Sequence, residues 1–410
     1  MAERRLKSYH CRAPISLNGV SVFADDKPDR NVFILGAGFS ADAGAPLVND
    51  FLDTARELFD DPDSNLDNQE KNEFKSVFLF RQHVAHAREK FRIDLDNIEQ
   101  LFGLIEMAYR LDSESAPVRD AMVYVIAKTL QLAIEKKHRR PSILIEPTPT
   151  NVRLPFIDQP NAVRPDVYQY FANLLSGNYD DPAKLRSRAN TVITFNYDLV
   201  LDNALRRIGV EPDYGLREPS PTGASRESEA QISLLKLHGS TNWAICPSCK
   251  KVAVLDDGKF TNDPRAFRTT QCSGCQQVGL HLLLVPPSWD KSEYRETMRP
   301  VWKRAIDALK SAKRICIIGY SMPEADMFFK FLLTLGLADN HQLFRFVVVD
   351  LAEASLEGRS TIEQRYRSML EGVFESRRFQ FFGQGFANFL NDGGSSAIGR
   401  AETVMTRGIS

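Results

Sequence analysis

The two halves of the chain carry different patterns of hydrophobic residues. Between residues 49 and 137, apolar positions recur every three to four residues, which is the spacing of one face of an α-helix. From residue 191 onward, short apolar runs alternate with helical segments, which is typical of a parallel sheet covered by helices on both faces. The pattern therefore predicts a helical block followed by an α/β region.

Four amphipathic segments make up the helical block, and their apolar stripes indicate helix packing. The predicted helices cover residues 49–59, 69–91, 96–110 and 117–137. Asp96 and Glu99 are expected to form an N-cap pair at the start of the third helix. A Pro-rich stretch, Pro141–Pro165, links this block to the α/β region, and residues 1–30 are expected to form a polar N-terminal arm.

The α/β region begins with the strand Val32–Leu35, ahead of the helical block, and resumes after it. Further strands are predicted over 191–195, 232–237, 282–285, 315–318 and 344–349, and helices over 199–208, 300–311, 325–335 and 361–369. In such sheets, ligands bind at the carboxyl ends of the strands. The polar residues that follow these strands are therefore the candidates for a site.

Composition narrows the classes of function. The 410 residues include 52 basic and 53 acidic side chains, so a net charge of −1 gives no overall electrostatic case for nucleic-acid or membrane partners. Direct nucleic-acid binding through a local patch is left open. No apolar run approaches the roughly 18 residues needed to span a bilayer, and the first residues lack the apolar segment of a secretory signal. We therefore expect a cytoplasmic protein.

A glycine-rich turn ends the first strand. Gly36, Gly38 and Ala41 fit the dinucleotide fingerprint G-x-G-x-x-G/A, in which small residues let the backbone turn sharply and approach a ligand. Residues 39–43 can start a helix whose N–H groups suit a pyrophosphate, although a plain strand-to-helix turn is the alternative. No second strand ending in an acidic residue follows about 20 positions later, which argues against an ordinary dehydrogenase. The residues assigned to nucleotide binding are Gly36, Ala37, Gly38 and Ser40.

Two further strand ends carry side chains suited to catalysis. Asn196 offers both a carbonyl acceptor and N–H donors, so it can orient sugar hydroxyls or a water. His238 has the side chain whose ordinary pKa lies nearest neutrality and is the candidate general base, with a hydrogen-bonded loop histidine as the alternative. Asp198 is assigned to cofactor binding, and its alternative is to cap the helix that follows.

The last two strands of the α/β region also end in polar residues. Gly319 and Ser321 can offer backbone N–H groups and a hydroxyl to phosphate or ribose. Asp350 can accept hydrogen bonds from two ribose hydroxyls. Ordinary turn chemistry is the alternative at each position.

The cysteines follow a metal-binding pattern. Cys246, Cys249, Cys272 and Cys275 form two C-x2-C pairs separated by 22 residues, slightly more than the usual gap of about 15–20. Four thiolates can surround one Zn²⁺ tetrahedrally with no ligand position open. The sequence therefore predicts a structural zinc site, with the other two of the six cysteines as bystanders.

Taken in their order along the chain, these motifs resemble those of the sirtuins. The resemblance covers residues of about 30–46 and 190–385, and the bacterial sirtuin-like effectors of antiphage defence are the more similar members. It rests on the glycine turn through Gly44-Ala45-Pro46, on Thr194–Asp198, on His238-Gly239, on the four cysteines and on Gly319–Ser321.

Three departures separate the chain from the protein deacylases of that family. Pro46 is followed by Leu47-Val48-Asn49 where a deacylase has Asp-Phe-Arg, so the Phe and Arg that normally cover nicotinamide are missing. Phe195 and Tyr197 flank Asn196 where sirtuins have Gln and Ile. An insertion of about 150 residues also separates the first two motifs. These differences favour the sirtuin-like NAD⁺ hydrolases.

The resemblance implies an α/β fold, a sirtuin-type Rossmann parallel sheet with a large helical insertion and a small zinc-ribbon lobe. The implied layout is an arm at 1–30 and a sirtuin-like domain at 31–400, with the helical insertion at 47–165 and the zinc ribbon at 244–279. The implied reaction is hydrolysis of NAD⁺ to nicotinamide and ADP-ribose by a defence effector that depletes NAD⁺ on activation. The alternatives are an NAD-dependent protein deacylase and a non-catalytic subunit that senses NAD⁺ or ADP-ribose.

The resemblance also implies roles and partners. Asn196 would hold the ribose and the attacking water, and His238 would accept a proton from that water or from a ribose hydroxyl. NAD is the substrate and Zn²⁺ the structural metal. A homo-oligomer is implied, as is a HerA-type ATPase or another defence protein as partner.

Overall fold

The computed structural model describes most of the chain in ten stretches. They are residues 29–86, 93–139, 166–177, 188–216, 232–255, 264–286, 294–322, 327–351, 361–370 and 378–390. The Pro-rich stretch and all but the last two residues of the predicted arm lie outside these ranges. The predicted domain boundaries therefore stay predictions.

Most of the strands in the described residues form one parallel sheet. In chain order, the strands are β1 Asp29–Leu35, β2 Arg188–Thr194, β3 Pro212–Asp213, β4 Ile232–Lys236, β5 Gly239–Ile245, β6 Val252–Val254, β7 His281–Leu284, β8 Arg314–Ile318, β9 Arg345–Val349 and β10 Phe379–Phe382. The larger sheet has the order β10-β9-β8-β1-β2-β4-β3, and every neighbouring pair in it runs parallel. This confirms the predicted α/β class.

The register of this sheet aligns the carboxyl ends of its central strands. Leu35 at the end of β1 pairs with Thr194 of β2 on one side and with Ile318 of β8 on the other. Thr194 in turn pairs with Lys236 of β4, and Ile318 pairs with Val349 of β9. The loops that follow five neighbouring strands therefore start at one edge of the sheet.

Helices cover the sheet, as its apolar central strands require. The described helices are α1 Ala37–Ser40, α2 Phe51–Asp60, α3 Asn68–Ala85, α4 Ile98–Leu111, α5 Ala116–Arg139, α6 Val167–Ser176, α7 Val200–Arg207, α8 Arg295–Lys310, α9 Met327–Leu337, α10 Thr361–Leu370 and α11 Phe386–Phe389. Val32–Leu35 are at most 2% exposed, as expected for a central strand covered on both faces. Among the helices described, none is long and apolar enough to cross a membrane.

The helical block consists of α2 to α5, which confirms the four helices predicted there, except that residues 87–91 of the second prediction lie outside the described residues. These helices share an apolar cluster that is separate from the core of the large sheet and includes Phe74, Leu101, Ile105 and Val125. The predicted cap of α4 is wrong by one residue. The side chain of Asn97, and not that of Asp96, accepts from the first free backbone N–H groups of the helix. Asp96 instead pairs with Arg81.

The run 282–285 belongs to a different sheet from the one predicted. Residues 281–284 form β7, which pairs antiparallel with β5 in a small sheet of order β6-β5-β7. The chain leaves the large sheet at Gly239, which has φ +82° and where a Cβ would lie 2.0 Å from the Leu283 carbonyl oxygen. A short apolar run does not by itself reveal which sheet it joins. We call residues 239–284 the cysteine lobe.

Candidate active site at the strand ends

Backbone hydrogen bonds extend the large sheet beyond its strands and hold the loops of the site together. The Gly36 N–H donates to the Ile318 carbonyl at 3.0 Å, and the Gly319 N–H donates to the Val349 carbonyl at 2.8 Å. On the other side, the Leu237 N–H donates to the Thr194 carbonyl at 2.9 Å. The loops that carry the predicted site residues thus leave the sheet side by side.

The glycines of the first loop serve a contact between two loops. A Cβ on Gly36 would lie 2.6 Å from the Gly319 oxygen, and one on Gly319, which has φ +63°, would lie 2.1 Å from the Phe39 nitrogen. The N–H of Gly38 also donates to the Gly319 carbonyl at 2.8 Å. At these positions, the loop that follows β8 therefore makes the close approach that the sequence predicts for a ligand.

The helix expected after the glycine turn is short. The α-helical turn Ala37–Ser40 runs into a 3-10 turn, Ala41–Ala43, which ends at Gly44 with φ +97°. A helix dipole grows with the number of aligned peptide units, so this element offers an anion less than a full helix would. Nucleotide binding by Gly36, Ala37, Gly38 and Ser40 stays a prediction.

Asn196 is fixed by two hydrogen bonds to the glycine loop. Its Nδ2 donates to the Gly36 carbonyl oxygen at 2.9 Å and to the Ser40 hydroxyl at 3.0 Å. Its backbone N–H donates to Oγ1 of Thr194 at 3.1 Å. Because Nδ2 carries only two protons, both are engaged. The carbonyl oxygen Oδ1 is therefore what this half-buried side chain can offer to a ligand.

Asp198 lies behind Asn196 and is buried. Its carboxylate accepts at 2.9 Å from the N–H of Val200, the first residue of α7, although the N-cap position itself is Leu199, and Ser40 lies beside it. Burial raises the pKa of this carboxyl above its ordinary value, although the charge of Lys236 acts in the opposite direction. Ser40 thus accepts from the amide of Asn196 and lies beside a buried acid. A direct role of Asp198 in cofactor binding stays a prediction.

His238 follows β4, the strand that pairs with β2, so it lies beside the Asn196 loop. The side chain is 4% exposed, and its ring packs edge-on against Phe195 with the ring centres 5.2 Å apart. The His238 carbonyl accepts from the Val285 N–H at 2.8 Å, and the Tyr197 hydroxyl donates to the Val285 carbonyl at 2.8 Å. Aromatic rings thus pack around the candidate base, and Val285, which follows β7, holds its backbone.

The other strand-end candidates lie along the same edge. Gly319 contacts the glycine loop, and the Ser321 carbonyl accepts from Arg365 at 3.3 Å. Asp350 follows β9, two strands away from β1, and its Oδ1 accepts from the Leu351 N–H at 2.8 Å. Binding of phosphate or ribose by Gly319, Ser321 and Asp350 stays a prediction.

Lys236 is a residue of this region that the sequence patterns did not single out. It ends β4 and is 1% exposed, and its Nζ donates to the Asp198 carbonyl oxygen and to Oδ2 of Asp202, the latter at 3.1 Å. A lysine at the end of a mostly apolar strand is the signal that the sequence offers for it. That signal does not identify its partners.

The four cysteines fit a tetrahedral metal site. Their sulfurs all lie within 4.8 Å of one another, and Sγ of Cys246 and Cys275 are 3.5 Å apart, as are those of Cys249 and Cys272. Thiolates about 2.3 Å from a tetrahedral zinc ion would lie about 3.8 Å apart. The cluster is therefore compatible with the predicted zinc site.

The two cysteine pairs have the same backbone geometry. The Lys250 N–H donates to the Cys246 carbonyl at 3.0 Å, and the Gln276 N–H donates to the Cys272 carbonyl at 2.9 Å. Backbone N–H groups also reach the sulfurs. The one from Cys275 lowers the pKa of Cys272 to about 6 and the one from Cys249 lowers the pKa of Cys246, whereas, against the N–H of Gln277, neighbouring thiols raise the pKa of Cys275 to about 11. Hydrogen bonds that stabilise thiolates are what a zinc site requires.

Comparison with known proteins gives one family match. The model of the SIR2-like domain matches residues 190–349, a stretch that contains Asn196, His238 and the four cysteines. No curated protein matches the chain.

Solved Sir2 structures resemble the chain at low identity. One, from work on the mechanism and regulation of Sir2 enzymes, shares 12% identity over 90% of this chain and 92% of its own, with a TM-score of 0.39. Another contains Sir2, a p53 peptide and NAD⁺, and shares 14% identity over 90% of this chain and 95% of its own, with a TM-score of 0.35.

Proposed function

We propose that this sirtuin-like chain, whose residues 190–349 match the SIR2-like domain, hydrolyses NAD⁺ to nicotinamide and ADP-ribose. The domain match supports the coarser statement that the protein is a sirtuin-type NAD-binding enzyme. The finer proposal rests on the position of Asn196, whose Nδ2 is held by Gly36 and Ser40 so that Oδ1 is left for a ligand.

The reaction breaks the bond between ribose C1′ and the nicotinamide nitrogen. Nicotinamide leaves as a neutral molecule and needs no acid, while positive charge develops on the ribose. In the proposed mechanism, Oδ1 of Asn196 holds the ribose and the attacking water. A fixed carbonyl dipole that points its negative end at developing positive charge also stabilises the transition state. The two hydrogen bonds to Nδ2 keep that dipole in place before the reaction.

His238 acts as the general base in this mechanism. It accepts a proton from the attacking water or from a ribose hydroxyl, a step that typically contributes roughly 10²–10⁴-fold in rate. Its position after β4, next to the Asn196 loop after β2, allows both residues to act on one ribose. The packing of Phe195 and Tyr197 around the ring limits the access of bulk water to it.

The segment after Pro46 favours hydrolysis over deacylation. Leu47-Val48-Asn49 replaces the Asp-Phe-Arg of deacylases, and this segment is tied to the helical block. The Val48 carbonyl accepts from the Ile98 N–H at 3.2 Å, and Asn49 Oδ1 accepts from Asn97 at 3.1 Å. A segment held in this way, without Phe or Arg, is suited to a site whose second substrate is water.

The wider role in the proposal comes from the motif resemblance. We propose that the protein is a cytoplasmic effector of antiphage defence that depletes NAD⁺ on activation. We also propose that it forms a homo-oligomer and that its partner is a HerA-type ATPase or another defence protein. The mass of the native assembly tests the oligomer, and NAD⁺ levels in cells that express the protein during phage infection test the effector role.

Purified protein mixed with NAD⁺ tests the reaction itself. Nicotinamide and ADP-ribose would be measured by chromatography, with and without an acetylated peptide and over a range of protein concentrations. Equal NAD⁺ consumption with and without peptide is expected. Consumption that depends on the peptide would identify a deacylase. NAD⁺ binding without turnover at every protein concentration would favour the sensing subunit. Asn196→Ala protein is the matched control.

A further inference from the structure

Lys236 is a buried charge that connects the two loops of the proposed site. Its Nζ donates to Oδ2 of Asp202 at 3.1 Å, and the side chains are 1% and 3% exposed. The same Nζ donates to the backbone carbonyl of Asp198. Burying a lysine is unfavourable unless its protons are paired and hydrogen-bonded. Both of these contacts are therefore part of what keeps Lys236 in the core.

The two contacts have different consequences for the site. Asp202 lies on α7 and also accepts from the Tyr214 hydroxyl at 2.6 Å, so this contact belongs to the packing of α7. Asp198 lies two residues after Asn196, and Lys236 lies two residues before His238. The bond to the Asp198 carbonyl therefore joins the strand that carries the proposed base to the loop that carries the proposed ribose-binding amide.

We propose that Lys236 is a positioning residue that holds the 196–198 loop in register with His238. The inference rests on the proposed function, because it assumes that both residues act on one ribose. Displacing a catalytic group by about 1 Å can lower a rate about 10²-fold. Loss of the donor to the Asp198 carbonyl is therefore expected to lower kcat for NAD⁺ more than it raises KM.

Simple charge pairing with Asp202 is the competing explanation, and a pair of double variants separates the two. Lys236→Met with Asp202→Asn removes both charges, which is often tolerated when the replacements pack well. Lys236→Gln with Asp202→Asn is equally uncharged but keeps an N–H donor near the Asp198 carbonyl. The two proteins thus differ in the donor and not in charge.

We expect the methionine double variant to fold and to show kcat lowered about 10- to 100-fold, with KM changed less than about threefold. The glutamine double variant should recover at least part of the lost kcat. Tyr214→Phe is the control, because it removes a hydrogen bond to Asp202 without touching the 196–198 loop. Its thermal midpoint should fall, and its kcat should stay within about twofold of the original.

Wild-type kcat in a folded methionine double variant would overturn the inference and leave the proposed function intact. A wild-type protein that cleaves no NAD⁺ would overturn the proposed function instead. The positioning would then be tested by crystal structures of the wild type and the two double variants. A displaced 196–198 loop in the methionine variant alone supports it, and an undisplaced loop contradicts it.

If the methionine variant does not fold, the glutamine variant takes its place. A kcat near that of the wild type then supports the inference, and a loss as large as that expected for methionine contradicts it.

Discussion

Two buried lysines make the same kind of contact in two regions of the molecule. In the helical block, Nζ of Lys128 lies 3.1 Å from Glu70, which also accepts from the Tyr124 hydroxyl at 2.7 Å. At the strand ends, a lysine, an aspartate and a tyrosine form the corresponding cluster, with a lysine–carboxylate distance of 3.1 Å and a tyrosine–carboxylate distance of 2.6 Å. In both regions, a buried carboxylate is paired with a lysine and hydrogen-bonded by a phenol.

The two clusters differ in what else they contact. Glu70 completes a capping box with Asp67 at the start of α3 and lies 4.0 Å from Arg265 of the cysteine lobe. Its cluster therefore joins two parts of the fold. Lys236 instead donates to the Asp198 carbonyl beside Asn196. A buried ion pair therefore does not indicate function by itself. In our proposal, the further hydrogen bond from Lys236 to the 196–198 loop is what lets its cluster support the site.

The largest expected effect is on the strand-end side of this comparison. Asn196→Ala and His238→Ala should each lower NAD⁺ cleavage about a thousandfold, because in the proposed mechanism Asn196 holds the ribose and the water and His238 is the general base. The double variant should be little worse than either single one, since residues that act as a unit are strongly non-additive. Initial rates of nicotinamide release measure this. Circular dichroism should show the same fold in all three variants, and full activity in a folded His238→Ala protein would refute the mechanism.

Loss of the zinc ion should lower the stability of the fold, beginning with the cysteine lobe. Cys246→Ser removes one thiolate from a closed site, so the variant should contain well under one zinc ion per chain and unfold at a lower temperature. Metal analysis of protein purified without chelator, together with a thermal scan, measures both. Cys316→Ser, at a buried cysteine outside the cluster, is the control for general damage and should keep its metal. A wild-type protein without zinc would contradict the metal assignment.

Breaking the Lys128–Glu70 ion pair of the helical block should lower the stability of the fold and leave the catalytic step unchanged. Lys128→Met removes the nearer cation of buried Glu70 and leaves only Arg265, 4.0 Å away, so the free energy of unfolding is expected to fall by up to about 3–5 kcal/mol. Lys136→Met on the same helix is the matched control. Lys136 is 45% exposed and pairs with Asp61, so its loss should cost less than about 1 kcal/mol.

Urea denaturation measures both values, and kcat per folded molecule should stay close to that of the wild type in each variant. A large fall in kcat for folded Lys128→Met would show that the helical block also supports the site. The contrast between the two lysine clusters would then be wrong.

Much of the site edge could be predicted from the sequence, because parallel strands end at one edge whatever the order of the strands. The pattern of an apolar run followed by a polar residue predicts this position for Asn196, His238, Gly319 and Asp350. Each of them does follow a strand or its extension. The placement needed no knowledge of distant contacts.

The remaining features depend on contacts between distant residues. Lys236 and Asp202 are 34 residues apart in the chain, and nothing local in either segment indicates that they meet. The glycines of the first turn pack against Gly319, so their small size reflects a loop that lies far away in the sequence. The run 282–285 joins β5 in the small sheet because the chain leaves the large sheet at Gly239, a departure that apolar periodicity does not reveal.

The smallest expected effect concerns Asp198, the buried acid of the 196–198 loop. Burial raises its pKa in the folded protein, so folding favours the protonated acid. Its contribution to stability is therefore fully present below the unfolded pKa of about 3.9 and is lost as the pH rises through the higher folded value. Asp198→Asn cannot ionise and avoids that loss. The difference in free energy of unfolding between variant and wild type should consequently move in favour of the variant from pH 4 to pH 7.

Urea denaturation across about pH 4 to 7 measures this difference. Asp307→Asn, at an exposed acid of α8, is the control for replacing any acid by an amide. A difference that moves in favour of the wild type with rising pH would mean that Lys236 outweighs burial and holds Asp198 ionised. In that case, the lysine would stabilise the 196–198 loop through the carboxylate of Asp198 as well as through its backbone carbonyl. The strand-end cluster would then resemble that of Lys128 more closely than the hydrogen bonds alone indicate.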